Sequence, residues 1–331
     1  MAGRRQKKSG GRSYAWRYRG RIVACVFVEV IIICALVIMI GWNKGVKEWF
    51  EQFEQPVLKE VDISGINSPN AILMQARGGK ILGEINGEAQ IYPASMTKIM
   101  TVILGIENFD NLDEKITLTN EMFTGLYEQD ATQAGFQPGE EVRVIDLLYG
   151  AMLPSGAECC IALADTISGS EADFAELMNK KARKLGMENT HFCDSTGLHN
   201  PDHYSTVKDI AVLMKYCIKN DTFREIVETS RHSTGVTNIH PDGITYYSTM
   251  FKSLSDPTVT GGKILGGKTG YTSEAGHCLV SFAEIEGREY IFVSAGASGA
   301  DGNTIPHIQD AVTVYNRVGA AIEAKMNNNN K

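Results

Sequence analysis

YPASMTKIMT, residues 92–101, sets a hydroxyl at Ser95 and an amine at Lys98, three positions apart, just behind Pro93 and at the head of an apolar run. Side chains at i and i+3 share a helix face, so the two groups meet if the run is helical. Proline suits a helix start, which puts Ser95 in the first turn, where free backbone N–H groups and the dipole favour negative charge. A serine hydroxyl is a weak nucleophile until a base takes its proton, and a lysine is such a base only when neutral. Burial and a second nearby cation both push a lysine that way. Alone, Ser-x-x-Lys is an ordinary surface pair on many helices, and a motif of this kind needs its context.

Two later fragments supply that context. LPSGA, residues 153–157, puts Ser155 on a tight turn ahead of an apolar helix, and GGKTGY, residues 266–271, puts Lys268 and Thr269 on an expected edge strand facing a cleft. If Ser95, Lys98, Ser155 and Lys268 converge, the result is an activated serine in a cationic cleft.

The rest of the chain frames those fragments. AILMQARGGKILGEIN, from Ala71, reads as two strands about Gly78-Gly79, and residues 277–283 and 290–295 as strands joined at Glu286-Gly287. Between these ends lie helical patterns, two of them opened by capping-box-like pairs, Ser170 with Asp173 and Thr206 with Asp209. A last amphipathic helix is expected over residues 306–324. The pattern predicts an α/β (α+β) domain: one antiparallel sheet made from both chain ends, flanked by helices, with an inserted helical subdomain.

Charge is divided unevenly. The first 21 residues hold eight Lys and Arg and no acid, although the chain carries a formal charge of −7, so the remainder is strongly acidic. An acidic body argues against nucleic acid as a partner. Residues 22–40 contain one charge, Glu29, and are nearly long enough to cross a hydrocarbon core of about 30 Å. The cationic cluster ahead of this run predicts, by the positive-inside rule, a cytoplasmic head and an external body. The expected layout is a basic head over 1–21, a transmembrane anchor over 22–41, a stem and linker over 42–66, a catalytic domain over 67–324 and a tail over 325–331. A cleaved signal peptide, giving a secreted protein, is the alternative; no Ala-x-Ala-like site follows the run. Cys159, Cys160, Cys193, Cys217 and Cys278 form an odd set without CxxC spacing, expected as buried apolar side chains with at most one bridge.

In the order SxxK, SxA, KTG the fragments resemble the motifs of the serine penicillin-recognising enzymes. PASMTKIMT, QPGEEVRVIDLLYGAMLPSGAE, LGMENTHFCDSTGLHNPDHYSTVKDIA and GGKTGYTSEAGHCLVSFA resemble the D-alanyl-D-alanine carboxypeptidase family of low-molecular-mass penicillin-binding proteins, serine peptidases of the S11 type, over roughly residues 67 to 320. The resemblance implies a β-lactamase/D,D-peptidase-like fold and removal of the terminal D-alanine from peptidoglycan stem pentapeptides. It implies Ser95 as the acylated nucleophile, Lys98 as its base and Ser155 as the proton relay to the leaving group. Lys268 would keep the site cationic and Thr269 would bind the terminal carboxylate, with Gly270, Tyr271 and Ala157 lining the substrate. Backbone N–H groups of Ser95 and Tyr271 would hold the oxyanion. β-Lactams are the implied inhibitors, and no metal or other cofactor is called for.

Three departures stand out. Ala157 occupies a place where the family usually has asparagine. Many relatives bind the carboxylate with an arginine after the last strand, whereas residues 289–316 hold no Arg or Lys and His307 is the one obvious substitute. Only 61 residues follow Gly270, so the front-end anchor is expected to replace the second β-rich domain and C-terminal anchor of many members. Rival readings are a zinc D,D-peptidase using Glu188, His191, His199, Asp202 and His203, and a non-catalytic penicillin-binding wall sensor or scaffold, which Ala157 favours. A β-lactamase would need a deacylating glutamate that the chain lacks.

Overall fold

The computed structural model describes residues 30, 31, 33, 58–299 and 305–329. The chain divides into two compact units, Met1–Pro56 and Val57–Lys331. In the first, Val30, Ile31 and Ile33 are helical and exposed. The rest of the predicted head, anchor and upper stem lies outside the described residues, among which no helix is long and apolar enough to cross a membrane.

The second unit is built on an antiparallel sheet. Among the described residues it has six strands in the order β2 (Ile81–Ile85), β1 (Asn70–Gln75), β10 (Arg288–Ala297), β9 (Gly276–Ile285), β8 (Gly262–Thr272), β7 (Thr258–Val259), and two small ribbons pair β3 (Lys115–Thr117) with β4 (Glu141–Arg143) and β5 (Arg231–Ser233) with β6 (Thr245–Tyr247). Both chain ends thus contribute, as the sequence predicts. The turn between β9 and β10 places Glu286 (φ 48°) and Gly287 (φ 67°) in the left-handed region, as a tight two-residue hairpin requires.

Successive strand residues point to opposite faces, and here both faces are covered. On β10, Ile291 and Val293 join the core beneath the helical layer, while Tyr290 and Phe292 pack with Val314, Tyr315 and Val318 of α8 (Pro306–Asn329). Two-sided burial explains why these strands read as near-continuous apolar runs. The opposite layer centres on α1 (Lys98–Asn108), in which Ile99, Met100, Val102 and Ile103 are fully buried. Around it lie α2 (Val144–Met152), α3 (Ala157–Ser168), α4 (Glu171–Leu185), α5 (Val207–Cys217) and α6 (Asp221–Glu228). The two predicted caps form: Ser170 Oγ accepts from Asp173 N (3.1 Å) and Thr206 Oγ1 from Asp209 N (3.0 Å).

The fold extends past both limits expected for the catalytic domain. Leu58, Val61 and Ile63, read as linker, are 3–5% exposed, and Val61 N–H donates to Leu82 O (2.7 Å). Interleaved charges at Lys59, Glu60 and Asp62 gave this stretch its linker-like composition, yet those side chains face solvent while the apolar ones pack on the sheet. At the other end α8 continues to Asn329, beyond the expected stop at Ala324. The five predicted thiols are all free, so no bridge joins them.

Candidate active site

Ser95 lies in a 3-10 turn, Ala94–Thr97, that runs directly into α1 at Lys98. Ala94, just ahead of it, has φ 46°, a left-handed conformation that costs a non-glycine residue of the order of 1–3 kcal/mol. Ser95 remains half-buried and reachable, whereas Lys98 is 3% exposed. Lys98 Nζ donates to Ser95 Oγ (3.1 Å) and to Thr196 O (2.6 Å). Burial lowers the Lys98 pKa, with Cys160, Asp194 and Glu158 opposing it less strongly.

Ser155 occupies the turn between α2 and α3, itself at φ 72°. Its neighbours fix that turn: Gly156 N–H donates to Gly150 O and Ala157 N–H to Thr132 O, each at 2.8 Å. Lys268, 1% exposed on β8, donates to Ser155 Oγ (3.0 Å) and to Thr269 O (2.8 Å). Burial, then the nearby Lys98 ammonium, drives its pKa well below the ordinary lysine value.

Strand β7 pairs only with Gly262 and Lys263 of β8, so the Lys268–Tyr271 stretch lies on a sheet edge, as predicted. There a Cβ on Gly270 would stand 3.0 Å from Ser95 N and 3.2 Å from Pro93 O, so the absence of a side chain lets β8 approach the Ser95 turn. Ser95, Lys98, Ser155 and Lys268 are therefore gathered at one cleft. Thr269 is half-buried beside them, with its Oγ1 2.7 Å from Thr249 Oγ1. Tyr271 is 61% exposed, its ring 4.6 Å from that of His277. Ala157, 1% exposed at the start of α3, offers the cleft no polar side chain.

His307 does not replace the missing arginine. It is 4% exposed, stacked on His277 at 5.1 Å, and burial together with His277 lowers its pKa to about 4, leaving it neutral at pH 7.

Sequence reading missed the groups that hold this cleft in place. Asp194 accepts from Thr196 N, Thr196 Oγ1 and Gly197 N at 2.7–2.8 Å, and its Oδ2 lies 3.1 Å from His203 Nδ1. Burial would raise this carboxyl, but His203 and the donors around it bring it down to about 2. His203 Nε2 in turn meets Thr97 Oγ1 (2.9 Å), in the same turn as Ser95. The run Asp194-Ser-Thr-Gly carried a signal for this, since Asp beside Gly favours a turn closed by the carboxylate. Glu158 clamps the opposite lip, accepting from Ala134 N (2.6 Å) and Gly135 N (2.9 Å).

The histidines of the zinc reading are dispersed among other tasks. His191 Nδ1 meets Asp202 O (2.6 Å), His199 packs edge-on against Tyr92 (4.8 Å), and His203 is buried in the network above. Among the described residues no group of three or more His, Cys, Asp and Glu is arranged to hold a metal ion.

Comparison with known proteins bears on this geometry. The family profile described as D-alanyl-D-alanine carboxypeptidase, peptidase S11, matches residues 57–299. The chain is 35% identical over 233 residues to D-alanyl-D-alanine carboxypeptidase DacF of Bacillus subtilis (strain 168), over 69% of this chain and 57% of that one. It is also 35% identical over 236 residues to the D-alanyl-D-alanine carboxypeptidase of Streptomyces sp. (strain K15), over 69% and 78% of the two. The crystal structure of the Streptomyces K15 DD-transpeptidase shares the fold with a TM-score of 0.69 at 29% identity, covering 79% of this chain and 100% of that one. Against several curated relatives the match spans under two thirds of their length, 57% for DacF and 58% for DacC of Escherichia coli (strain K12).

Proposed function

Because the chain belongs to the D-alanyl-D-alanine carboxypeptidase family, we propose that it is a serine-type D,D-carboxypeptidase that removes the terminal D-alanine from peptidoglycan stem pentapeptides. The observation that carries this reading is the pair of buried lysines, each bonded to a serine hydroxyl at one cleft.

Neutral Lys98 takes the proton of Ser95 as Oγ attacks the carbonyl carbon of the penultimate D-alanine. Thr269 turns its carbonyl toward Lys268 instead of β9, and main-chain groups two residues apart on a strand point the same way, so Tyr271 N–H opens toward the cleft. With Ser95 N–H it receives the developing oxyanion, each such donor contributing roughly 3–4 kcal/mol to the transition state. As the C–N bond breaks, Ser155 gives its proton to the leaving amine and is reprotonated from the lysines. Water then hydrolyses the ester. A β-lactam follows the same first step, but its amine stays tethered and blocks the water.

Two adjacent buried ammonium groups repel, and a single proton shared by the amines relieves this. In the free enzyme Lys268 is the more strongly lowered of the two; an incoming substrate carboxylate draws the shared proton onto Lys268, which then serves as its cation while Lys98 becomes the free base for Ser95. The basic head and the apolar run of residues 22–40 support a membrane tether with the catalytic unit on the external side, where peptidoglycan lies.

Incubating the full-length protein with a pentapeptide ending in D-Ala-D-Ala should release D-alanine, and β-lactam treatment should add one adduct that maps to Ser95. Labelling without release of D-alanine would replace this reading with that of a penicillin-binding sensor or scaffold.

A further inference from the structure

Thr249 belongs to none of the three motifs, yet it touches two of them. It opens α7 (Thr249–Ser253), a short helix capped by Ser248. Its N–H donates to Leu153 O (3.0 Å), two residues before Ser155, and its Oγ1 lies 2.7 Å from Thr269 Oγ1. One half-buried residue thus ties the turn carrying Ser155 to the strand carrying Lys268 and Thr269.

A hydroxyl has one proton to give. If Thr269 donates to Thr249, that proton is lost to an incoming ligand. If Thr249 donates instead, the Thr269 proton is free for an anion, and the two bonds in series polarise each other. A carboxylate beyond Thr269 selects the second arrangement. The demand on hydroxyl donors is high in this chain, because residues 289–316 hold no Lys or Arg and His307 is buried beneath His277.

We propose that Thr249 is a positioning residue that donates to Thr269 and so aims the Thr269 hydroxyl at the terminal carboxylate of the substrate. The inference rests on the D,D-carboxypeptidase reading. It makes Thr249 a determinant of preference for carboxylate-terminated ligands, acting through Thr269 without touching the reacting atoms.

The test compares acylation of the full-length protein by benzylpenicillin and by its methyl ester, which lacks the carboxylate. Thr249→Val keeps the side-chain shape and the N–H bond to Leu153 while removing the hydroxyl. It should slow acylation by benzylpenicillin about tenfold, within the range for a hydrogen bond that supports a charged group. The ester rate should change less than about twofold, and Thr249→Ser should restore the benzylpenicillin rate to near wild type. With pentapeptide the loss should appear in KM, with kcat nearly unchanged. Equal losses for acid and ester would make Thr249 merely structural and overturn the proposal, as would an unchanged acid-to-ester ratio or a serine variant that fails to rescue. The ratio is read on one protein sample, so partial misfolding cancels; Thr249→Ala gives the same comparison if valine packs poorly. If wild-type protein is not acylated at Ser95 at all, the carboxypeptidase reading itself fails, an outcome distinct from normal acylation that Thr249→Val leaves untouched.

Discussion

The cleft contains two serine–lysine pairs that are chemically alike and built in opposite ways. Ser95 and Lys98 sit on adjoining turns of one helical segment, three residues apart, and their contact survives as long as that segment stays helical. Ser155 and Lys268 are separated by 113 positions, one on a left-handed turn and the other on a sheet edge. The second pair exists only if the turn, the strand and the close approach at Gly270 are all correct. The first should therefore tolerate distant core changes that disable the second. Backbone strain follows the same division, since the first serine has its unusual φ one residue ahead, at Ala94, and the second carries its own.

The largest effects should come from the local pair. Ser95→Ala should abolish covalent labelling by penicillin, read by mass spectrometry of the intact protein, and label persisting elsewhere would break the comparison outright. Lys98→Met should slow acylation by about 10³-fold at neutral pH, near the middle of the range for a general base. The distant pair should matter less: Ser155→Ala and Lys268→Met are each expected to cost about 10²-fold in acylation, at the lower end of that range. If the four groups act as one unit, the Lys98→Met/Lys268→Met double variant should be little worse than Lys98→Met alone. Additive losses would mean that the pairs act separately.

Acidity offers a finer probe. Burial lowers the Lys98 pKa, and the base works when deprotonated, so acylation should rise with pH and level off below the ordinary lysine value of about 10.4. A profile still climbing at that value would mean an exposed, unperturbed amine. For stability the sign is the same: the unfolded chain binds more protons than the buried Lys98–Lys268 pair, so burying the pair costs least at high pH.

The smallest effect concerns the support beneath the local pair. Asp194, lowered to about 2, adds stability that is present above the ordinary aspartate value and lost as pH falls through about 2. Asp194→Asn should cost roughly 1–3 kcal/mol in denaturant unfolding at pH 7, through weakened bonds to Thr196, Gly197 and His203. The difference from wild type should shrink on acidification; a gap independent of pH would remove the charge from the explanation.

Features set by near neighbours in the chain were readable in advance. The i, i+3 spacing of Ser95 and Lys98, the caps at Ser170 and Thr206 and the Glu286-Gly287 turn all depend on a few consecutive residues. Thr249, Thr196 and Gly270 were not readable in the roles they take, because each acquires its function from a partner far away in the chain. His307 shows the converse: a plausible cation by position, it turns out to be a neutral ring stacked on His277. Leu58, Val61 and Ile63 were masked by the charges between them, although the alternation over Val61, Asp62 and Ile63, buried, exposed and buried, is what an extended segment packed on a sheet produces.

The order of residues alone pointed to the main helical and strand segments, two helix caps, a tight turn, and a hydroxyl and an amine three apart at the head of a helical run, since short-range sterics and periodicity dictate these features. Which amines lose water, which serine each one reaches and which hydroxyl steers Thr269 were decided only by the folded arrangement, because desolvation and hydrogen bonding depend on atoms that the chain brings together from distant positions.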